Sequence, residues 1–346
     1  MHPLPNDTIR RILVIQIRAI GDVVLTTPVL PILKKHFPQA EIDFLTGRGI
    51  GSLLRGLPEV TQVLEMTPYA PIPEVQKIVR AVRQRHYDLV IDYQGTNTPA
   101  LITVLSGAPF RLGWARVRRK WAYNLRGTAR STEQYVPLQK CQLLNAIGIT
   151  EENTRPRIAL LPEAQEKARN YLNTTIGEGK GPKINISVAG KRQARRWFPD
   201  RWAQTIDLLQ EELGAQVFLN AAGAERDFVE QVAAMCRHRP HMLPPWDLAT
   251  FAAYLAEVDL HLSYDNGVKH LAVALGTPSL AFYGSARPDH WHPPDDTRHQ
   301  FLYPDVACKG CGRIYCGAMT CMETIQPAAV LKIVANMITR NRTVMA

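Results

Sequence analysis

Three polar segments carry residues whose types and spacing could do chemistry. Arg18-Ala-Ile-Gly21-Asp22 follows the apolar run Ile12–Ile17 and precedes a helix-length segment. An aspartate in that position either caps the helix or serves as a general base that takes a proton from an attacking hydroxyl. Lys191-Arg-Gln-Ala-Arg195-Arg-Trp197-Phe-Pro199 has four basic residues among its first six. Cations between a strand and a helix could hold a diphosphate and neutralise it as it leaves; a solvated basic loop or a nucleic-acid patch is the alternative. Tyr264-Asp265-Asn266-Gly267 opens a third helix, with His270 one turn inside it. The unpaired N–H groups and positive dipole end of a helix start suit a pyrophosphate, and Gly267 lets the backbone approach closely. His270 either stands beside that anion or is structural.

Two further clusters stand out. The stretch 111–130 holds Arg111, Arg116, Arg118, Arg119, Lys120, Arg126 and Arg130, interleaved with Trp114, Trp121 and Tyr123. It reads as a dock for a phosphorylated or otherwise anionic glycolipid near a membrane surface, with a solvated loop as the alternative. No nucleic-acid motif accompanies it, so no nucleic-acid partner is expected. Arg18, Gly21, Arg116, Arg118, Arg119 and Lys120 are the acceptor-side candidates. Cys308, Cys311, Cys316 and Cys321 place four thiols within 14 residues. Such a cluster is a candidate structural zinc or iron site; disulfide or redox pairing and reduced thiols stay open as alternatives. Cys141 and Cys236 stand alone and read as small buried apolar residues.

The elements that must position these groups follow an alternating rhythm. In the first half, Ile12–Ile17, Glu41–Thr46 and Leu89–Tyr93 read as buried strands, and Val23–His36 and Gln76–Arg85 as helices. After a Gly/Lys-rich stretch ending at Pro182 the rhythm restarts. Strands are expected at Lys183–Val188, Gln216–Leu219, Leu260–Ser263 and Ser279–Tyr283. Helices are expected at Trp202–Leu213, Glu225–Cys236, Leu248–Ala256, Val268–Leu275 and Ala328–Arg340. This pattern predicts two α/β domains with doubly wound parallel sheets, in which ligands bind outside the carboxyl ends of the strands. The domains are expected at 1–160 and 183–326, with a linker region at 161–182 and a terminal helix and tail at 327–346.

The 346 residues suffice for two cores, and 46% hydrophobic with 21% charged residues excludes a disordered chain. The formal charge of +10 favours anionic partners. No apolar run reaches the length of a membrane span and no secretory signal opens the chain, which predicts a cytoplasmic protein, peripheral at most to the inner membrane.

Taken in order, these motifs resemble glycosyltransferase family 9, the ADP-heptose:lipopolysaccharide heptosyltransferases. The resemblance is carried by Ile12-Leu-Val-Ile-Gln-Ile-Arg-Ala-Ile-Gly21-Asp22 with Thr26 and Pro28, and by Ala194-Arg-Arg-Trp197-Phe-Pro199. It continues through Gly223-Ala-Glu225, Asp265-Asn-Gly267-Val-Lys-His270, Gly276-Thr-Pro278 to Ser285, and Trp291-His-Pro293. Asn266 stands where the family has Thr or Ser, Arg195 where it often has Lys, and Trp197-Phe-Pro199 is one residue longer than its Trp-Pro. The resemblance implies a GT-B architecture, two Rossmann-like domains facing a central cleft, and an inverting transfer that needs no metal or other cofactor. It implies that Asp22 is the catalytic base. It further implies that Lys191, Arg195, Glu225, Asp265, Asn266, Gly267 and His270 bind an ADP-sugar donor, with Glu225 on the adenosine ribose. The implied acceptor is an anionic glycolipid at the inner membrane surface. A transferase or epimerase for another nucleotide sugar, or a non-catalytic nucleotide-binding protein, is the alternative on the same fold.

Overall fold

The structure is a computed structural model that describes residues 4 and 8–345 apart from 132, 178–180, 191, 222 and 295. The chain divides into two units, Met1–Leu160 and Leu161–Ala346.

In the first unit the strands are β1 (Arg11–Ile15), β2 (Glu41–Gly47), β3 (Val60–Met66), β4 (Leu89–Asp92), β5 (Phe110–Trp114) and β6 (Leu125–Gly127). The helices are α1 (Ile20–Val24), α2 (Val29–His36), α3 (Ile72–Gln84), α4 (Asn97–Leu105) and α5 (Val136–Leu143). The strands lie in the order β3-β2-β1-β4-β5-β6, and every pairing is parallel. Ile12, Leu13, Val14 and Ile15 are wholly buried, as β-branched and leucine side chains must be in a central strand covered on both faces.

The second unit repeats the plan. Its strands are β7 (Lys183–Ser187), β8 (Gln216–Leu219), β9 (His241–Met242), β10 (Leu260–Tyr264), β11 (Ser279–Phe282) and β12 (His299–Leu302). Its helices are α6 (Pro162–Ile176), α7 (Pro199–Leu213), α8 (Arg226–Met235), α9 (Leu248–Ala256), α10 (Gly267–Leu275), α11 (Pro288–Trp291), α12 (Thr320–Glu323) and α13 (Pro327–Met345). The order is β12-β11-β10-β7-β8-β9, again all parallel. Counted within the unit this is the same doubly wound order as in the first. The direction of winding therefore reverses beside β1 and β4 in one unit and beside β7 and β10 in the other. Loops leaving the carboxyl ends of these strand pairs flank the crevice where such sheets bind ligands.

Two expectations need revision. The helix expected at Val23–His36 is two helices, α1 and α2, because Pro28 has no N–H to continue the ladder and instead starts α2 as its N-cap. The amides of Thr26 and Thr27 turn back to Val23 and Val24 in the gap. The basic stretch 111–130 is not one loop: it contains β5, a single 3-10 turn at Lys120–Ala122 and β6. The helix expected near Glu163–Leu172 in the junction is α6, which packs on α9 within the second unit.

Candidate active site

In the first unit, the residues after β1 form a loop held from several directions. Gln94, which follows β4, accepts the amides of Ile17 and Arg18 on its Oε1 at 2.9 and 2.8 Å. Gln94 is itself fixed by Asp92, whose Oδ1 accepts the N–H groups of Gln94 and Gly95, both at 2.9 Å. Gly95 has φ +66°, and a Cβ there would meet Val117 Cγ1 at 2.9 Å, so this turn requires glycine. The other Asp92 oxygen accepts the Tyr123 hydroxyl at 2.7 Å. Burial pushes the Asp92 carboxyl up to about 6. The Gln16 side chain donates to the Arg18 carbonyl and accepts from Lys140 Nζ at 2.9 Å.

Asp22 is the third residue of α1 and is half-buried. Its Oδ2 accepts the Ala19 N–H at 3.3 Å, a long bond that makes it a weak cap. Its Oδ1 takes no hydrogen bond among the described residues. Gly21 is buried, and Arg18 is half-buried with its guanidinium 4.6 Å from the Tyr69 ring centre and bonded to the Tyr69 hydroxyl. Arg116, Arg118 and Lys120 are exposed and Arg119 is half-buried. Arg111 is not part of that display, because its guanidinium is bound to the carbonyls of Ala108 and Ala122.

In the second unit, the loop after β7 and the turn after β10 share one buried ionic group. Asp265, 7% exposed, accepts Arg195 Nη1 on Oδ2 at 2.7 Å and Lys269 Nζ on Oδ1 at 3.0 Å. Lys269 Nζ also bonds the Tyr283 hydroxyl at 2.7 Å and the Trp291 carbonyl at 2.5 Å. Burial lowers the pKa of both cations, opposed by the Asp265 charge. Asn266 caps α10 by accepting the Lys269 amide at 3.0 Å, leaving Gly267 as the first helical residue. His270 is buried 3.8 Å from Asp265 Oδ1. Burial, with the charges of Lys269 and His292, drives its pKa well below the usual range. Arg195 Nε and His270 Nδ1 are buried and have no protein partner among the described residues. Two buried polar atoms without protein partners, at the N-terminus of a nine-residue helix, make an anion-binding arrangement.

Trp197 anchors the loop that carries Arg195. Its ring lies edge-on to Trp202 and Phe282, each 5.1 Å away, and its Nε1 donates to the Met322 carbonyl at 3.0 Å. Glu225 is half-buried and precedes α8, without bonding the helix start through its side chain. Lys191 lies outside the described residues.

The cysteine segment is tied to the loop that carries Arg195. Gln193 holds it to the cation loop through the amide and carbonyl of Cys316, at 2.9 and 3.3 Å, and Ala194 donates to the Ile314 carbonyl at 2.9 Å. Among the described residues no group of three or more His, Cys, Asp or Glu side chains is placed to hold a metal ion. Cys308 and Cys311 are exposed, whereas Cys321 is buried against Gly284, where an added Cβ would meet its Sγ at 2.8 Å. The Cys308, Cys311 and Cys316 thiols nonetheless lie within electrostatic reach of Cys321.

Several of these residues escape sequence reasoning. Lys269 had a local signal, since it lies four residues after Asp265 across the start of α10. Gln16, Gln94 and Lys140 had none, because Gln16 and Lys140 meet across 124 residues.

Two doubly wound units, each with polar groups at the point where its winding reverses, are the GT-B fold of glycosyltransferases. The model of Glycosyltransferase family 9 (heptosyltransferase) matches residues 75–319, and the chain belongs to that family. It is 24% identical over 293 residues to lipopolysaccharide heptosyltransferase 3 of Escherichia coli (strain K12), covering 81% of this chain and 84% of that protein. It is 25% identical over 293 residues to lipopolysaccharide heptosyltransferase 1 of the same organism, covering 80% and 89%. Among solved structures, the family 9 glycosyl transferase from Veillonella parvula DSM 2008 superposes with a TM-score of 0.84 at 19% identity, covering 96% of this chain and 97% of that one. The Escherichia coli ADP-heptose lps heptosyltransferase II does so at 0.78 with 21% identity, covering 96% and 99%.

Proposed function

We propose that this glycosyltransferase moves a heptose from ADP-heptose to a lipopolysaccharide core or related glycan acceptor, with inversion and without a metal in the chemical step. The observation that carries the donor half is the Arg195–Asp265–Lys269 group at the start of α10, with Arg195 Nε and His270 Nδ1 available to an anion. The names of the family relatives support the sugar and the acceptor class.

In this reading the first unit serves the acceptor and the second the nucleotide sugar. Asp22 removes the proton of the acceptor hydroxyl as its oxygen attacks the anomeric carbon from the face opposite the nucleotide. The anomeric carbon–oxygen bond to the diphosphate breaks, and ADP leaves with the electron pair. Arg195, Lys191 and the α10 amides from Gly267 stabilise the charge that develops there. Asn266 and His270 sit beside the diphosphate and Glu225 takes the ribose hydroxyls. Arg18 and Gly21 shape the acceptor side, and the exposed Arg116, Arg118 and Lys120, with Arg119, meet the anionic groups of the glycolipid at the membrane surface. No helix among the described residues is long and apolar enough to cross a membrane.

The test is a donor screen. Purified protein is incubated with ADP-heptose, other ADP-sugars, and UDP- and GDP-sugars, each with and without truncated core acceptors, and released nucleotide and extended glycolipid are measured. Acceptor-dependent ADP release from ADP-heptose is the expected result. Release from a different donor alone would overturn the heptose assignment, and conversion of a sugar without acceptor would indicate an epimerase.

A further inference from the structure

Lys140 is an ammonium group where the fold asks for none. It lies on α5, is 5% exposed, and is surrounded by the core of the first unit. Lysine is almost never fully buried without a purpose for its charge. As structural glue it is a poor choice, since removing a charge from water costs more than one side-chain bond returns.

Its contacts lead to the loop that carries Asp22. Nζ lies 5.2 Å from the centre of the Tyr93 ring and donates to Gln16 Oε1 at 2.9 Å. The Gln16 amide, 3% exposed, passes the contact on by donating to the Arg18 carbonyl. That carbonyl belongs to the same peptide group as the Ala19 N–H, which donates to Asp22 Oδ2. Gln94 holds the preceding two amides from the other side. The route from ammonium to carboxylate therefore runs through one amide side chain and one peptide unit.

We propose that Lys140 is a positioning residue for the base: through Gln16 it sets the Arg18–Ala19 peptide that orients Asp22. The proposal rests on the reading of Asp22 as the base.

The charges facing Lys140 are Asp22 from α1 and Asp92 from β4; the Tyr93 ring and Gln16 complete its surroundings. Asp92 is engaged by Gln94, Gly95 and the Tyr123 hydroxyl, and the hydrogen-bonded route from Lys140 leads to the peptide that contacts Asp22. Burial lowers Lys140 to about 8, against the pull of Asp22 and Asp92. The proton on Lys140 is thus lost within an accessible range, and its role has a titration signature.

The experiment compares wild type, Lys140→Met, Lys140→Arg, Gln16→Leu and Asp22→Asn. Acceptor-dependent ADP release is followed against pH, and donor affinity is measured by calorimetry. Lys140→Met is expected to lower kcat by roughly 10- to 100-fold with donor affinity within about twofold of wild type. Lys140→Arg should recover most of kcat and lack the basic limb that the lowered Lys140 value, about 8, predicts for wild type. Gln16→Leu should lower kcat as well, because the contact to the Arg18 carbonyl is lost. Wild-type kcat in Lys140→Met would overturn the proposal. If that variant does not fold, a basic limb retained by Lys140→Arg would overturn it instead. Substantial turnover in Asp22→Asn sinks the base reading, and the role of Lys140 with it; an inactive Asp22→Asn beside a normal Lys140→Met sinks the role of Lys140 alone.

Discussion

Asp265 joins Arg195 to Lys269: one carboxylate oxygen lies 2.7 Å from the guanidinium and the other 3.0 Å from the ammonium. The loop after β7 and the start of α10 are thereby locked to each other by a single buried side chain. Asp265→Asn leaves both cations buried without their counter-charge, a loss expected to cost about 3–5 kcal/mol. Denaturant unfolding measures it. The double variant Asp265→Asn, Lys269→Met should recover part of that loss, and strictly additive effects would show that the two residues do not act as a pair.

In the proposed donor site, Arg195→Met would remove a charge-assisted contact to the donor diphosphate. Such contacts are worth about 1.5–3 kcal/mol, so kcat/KM for the donor should fall by roughly 10- to 100-fold. Arg195→Lys should restore only part of it, since an ammonium cannot reproduce the forked geometry. Steady-state kinetics with varied donor decides this; an unchanged kcat/KM would move the diphosphate away from Arg195.

Trp197→Ala empties a site 1% exposed between Trp202 and Phe282. A loss of about 3–5 kcal/mol in unfolding free energy is expected. Because the same residue anchors the Arg195 loop, donor KM should rise as well. A stability loss with unchanged donor KM would show that the loop keeps its place without the indole.

The pH dependence of stability can be read from Lys140. Its folded pKa, about 8, lies below the ordinary lysine value of 10.5. Between these values the unfolded chain holds the proton and the folded chain does not, so this group makes stability rise with pH from about 8 to about 10.5. At neutral pH the full cost is present. Lys140→Met should therefore stabilise the protein near pH 7, by up to about 3 kcal/mol less the lost bond to Gln16. Thermal melts at both ends of the window check the sign. A variant more stable yet slower than wild type is what a functional lysine predicts.

Replacing Arg116, Arg118 and Lys120 together by Ala should weaken acceptor binding by about 1 kcal/mol per charge removed and flatten its salt dependence. Donor KM should not change. Acceptor titrations at two ionic strengths suffice, and unaltered binding would place the dock elsewhere.

Strands with continuous apolar runs were legible from the sequence, and Gln216–Leu219 and Leu248–Ala256 are found at the bounds expected. Short or polar strands were not. In β3 most residues are only partly buried, and β6 has three residues including Arg126 and Gly127, so neither shows a strand period. Motif loops at strand ends gave up Asp22, Arg195 and the Asp265–His270 turn because their chemistry is local. The residues that hold them, such as Gln94 and Lys140, were hidden because a buried contact between distant segments leaves no spacing to read. The spacing of the four cysteines is legible in the sequence, but that Cys321 is buried while Cys308 is exposed is not.

The contact between Gln16 and Lys140 spans 124 residues, and this bears on the order in which the protein is made. The loop after β1 is made before both of its clamps, which lie at Gln94 and at Lys140. A nascent chain that stops short of residue 140 would hold that loop by Gln94 alone, so the contacts around it are completed only near the end of the first unit's synthesis.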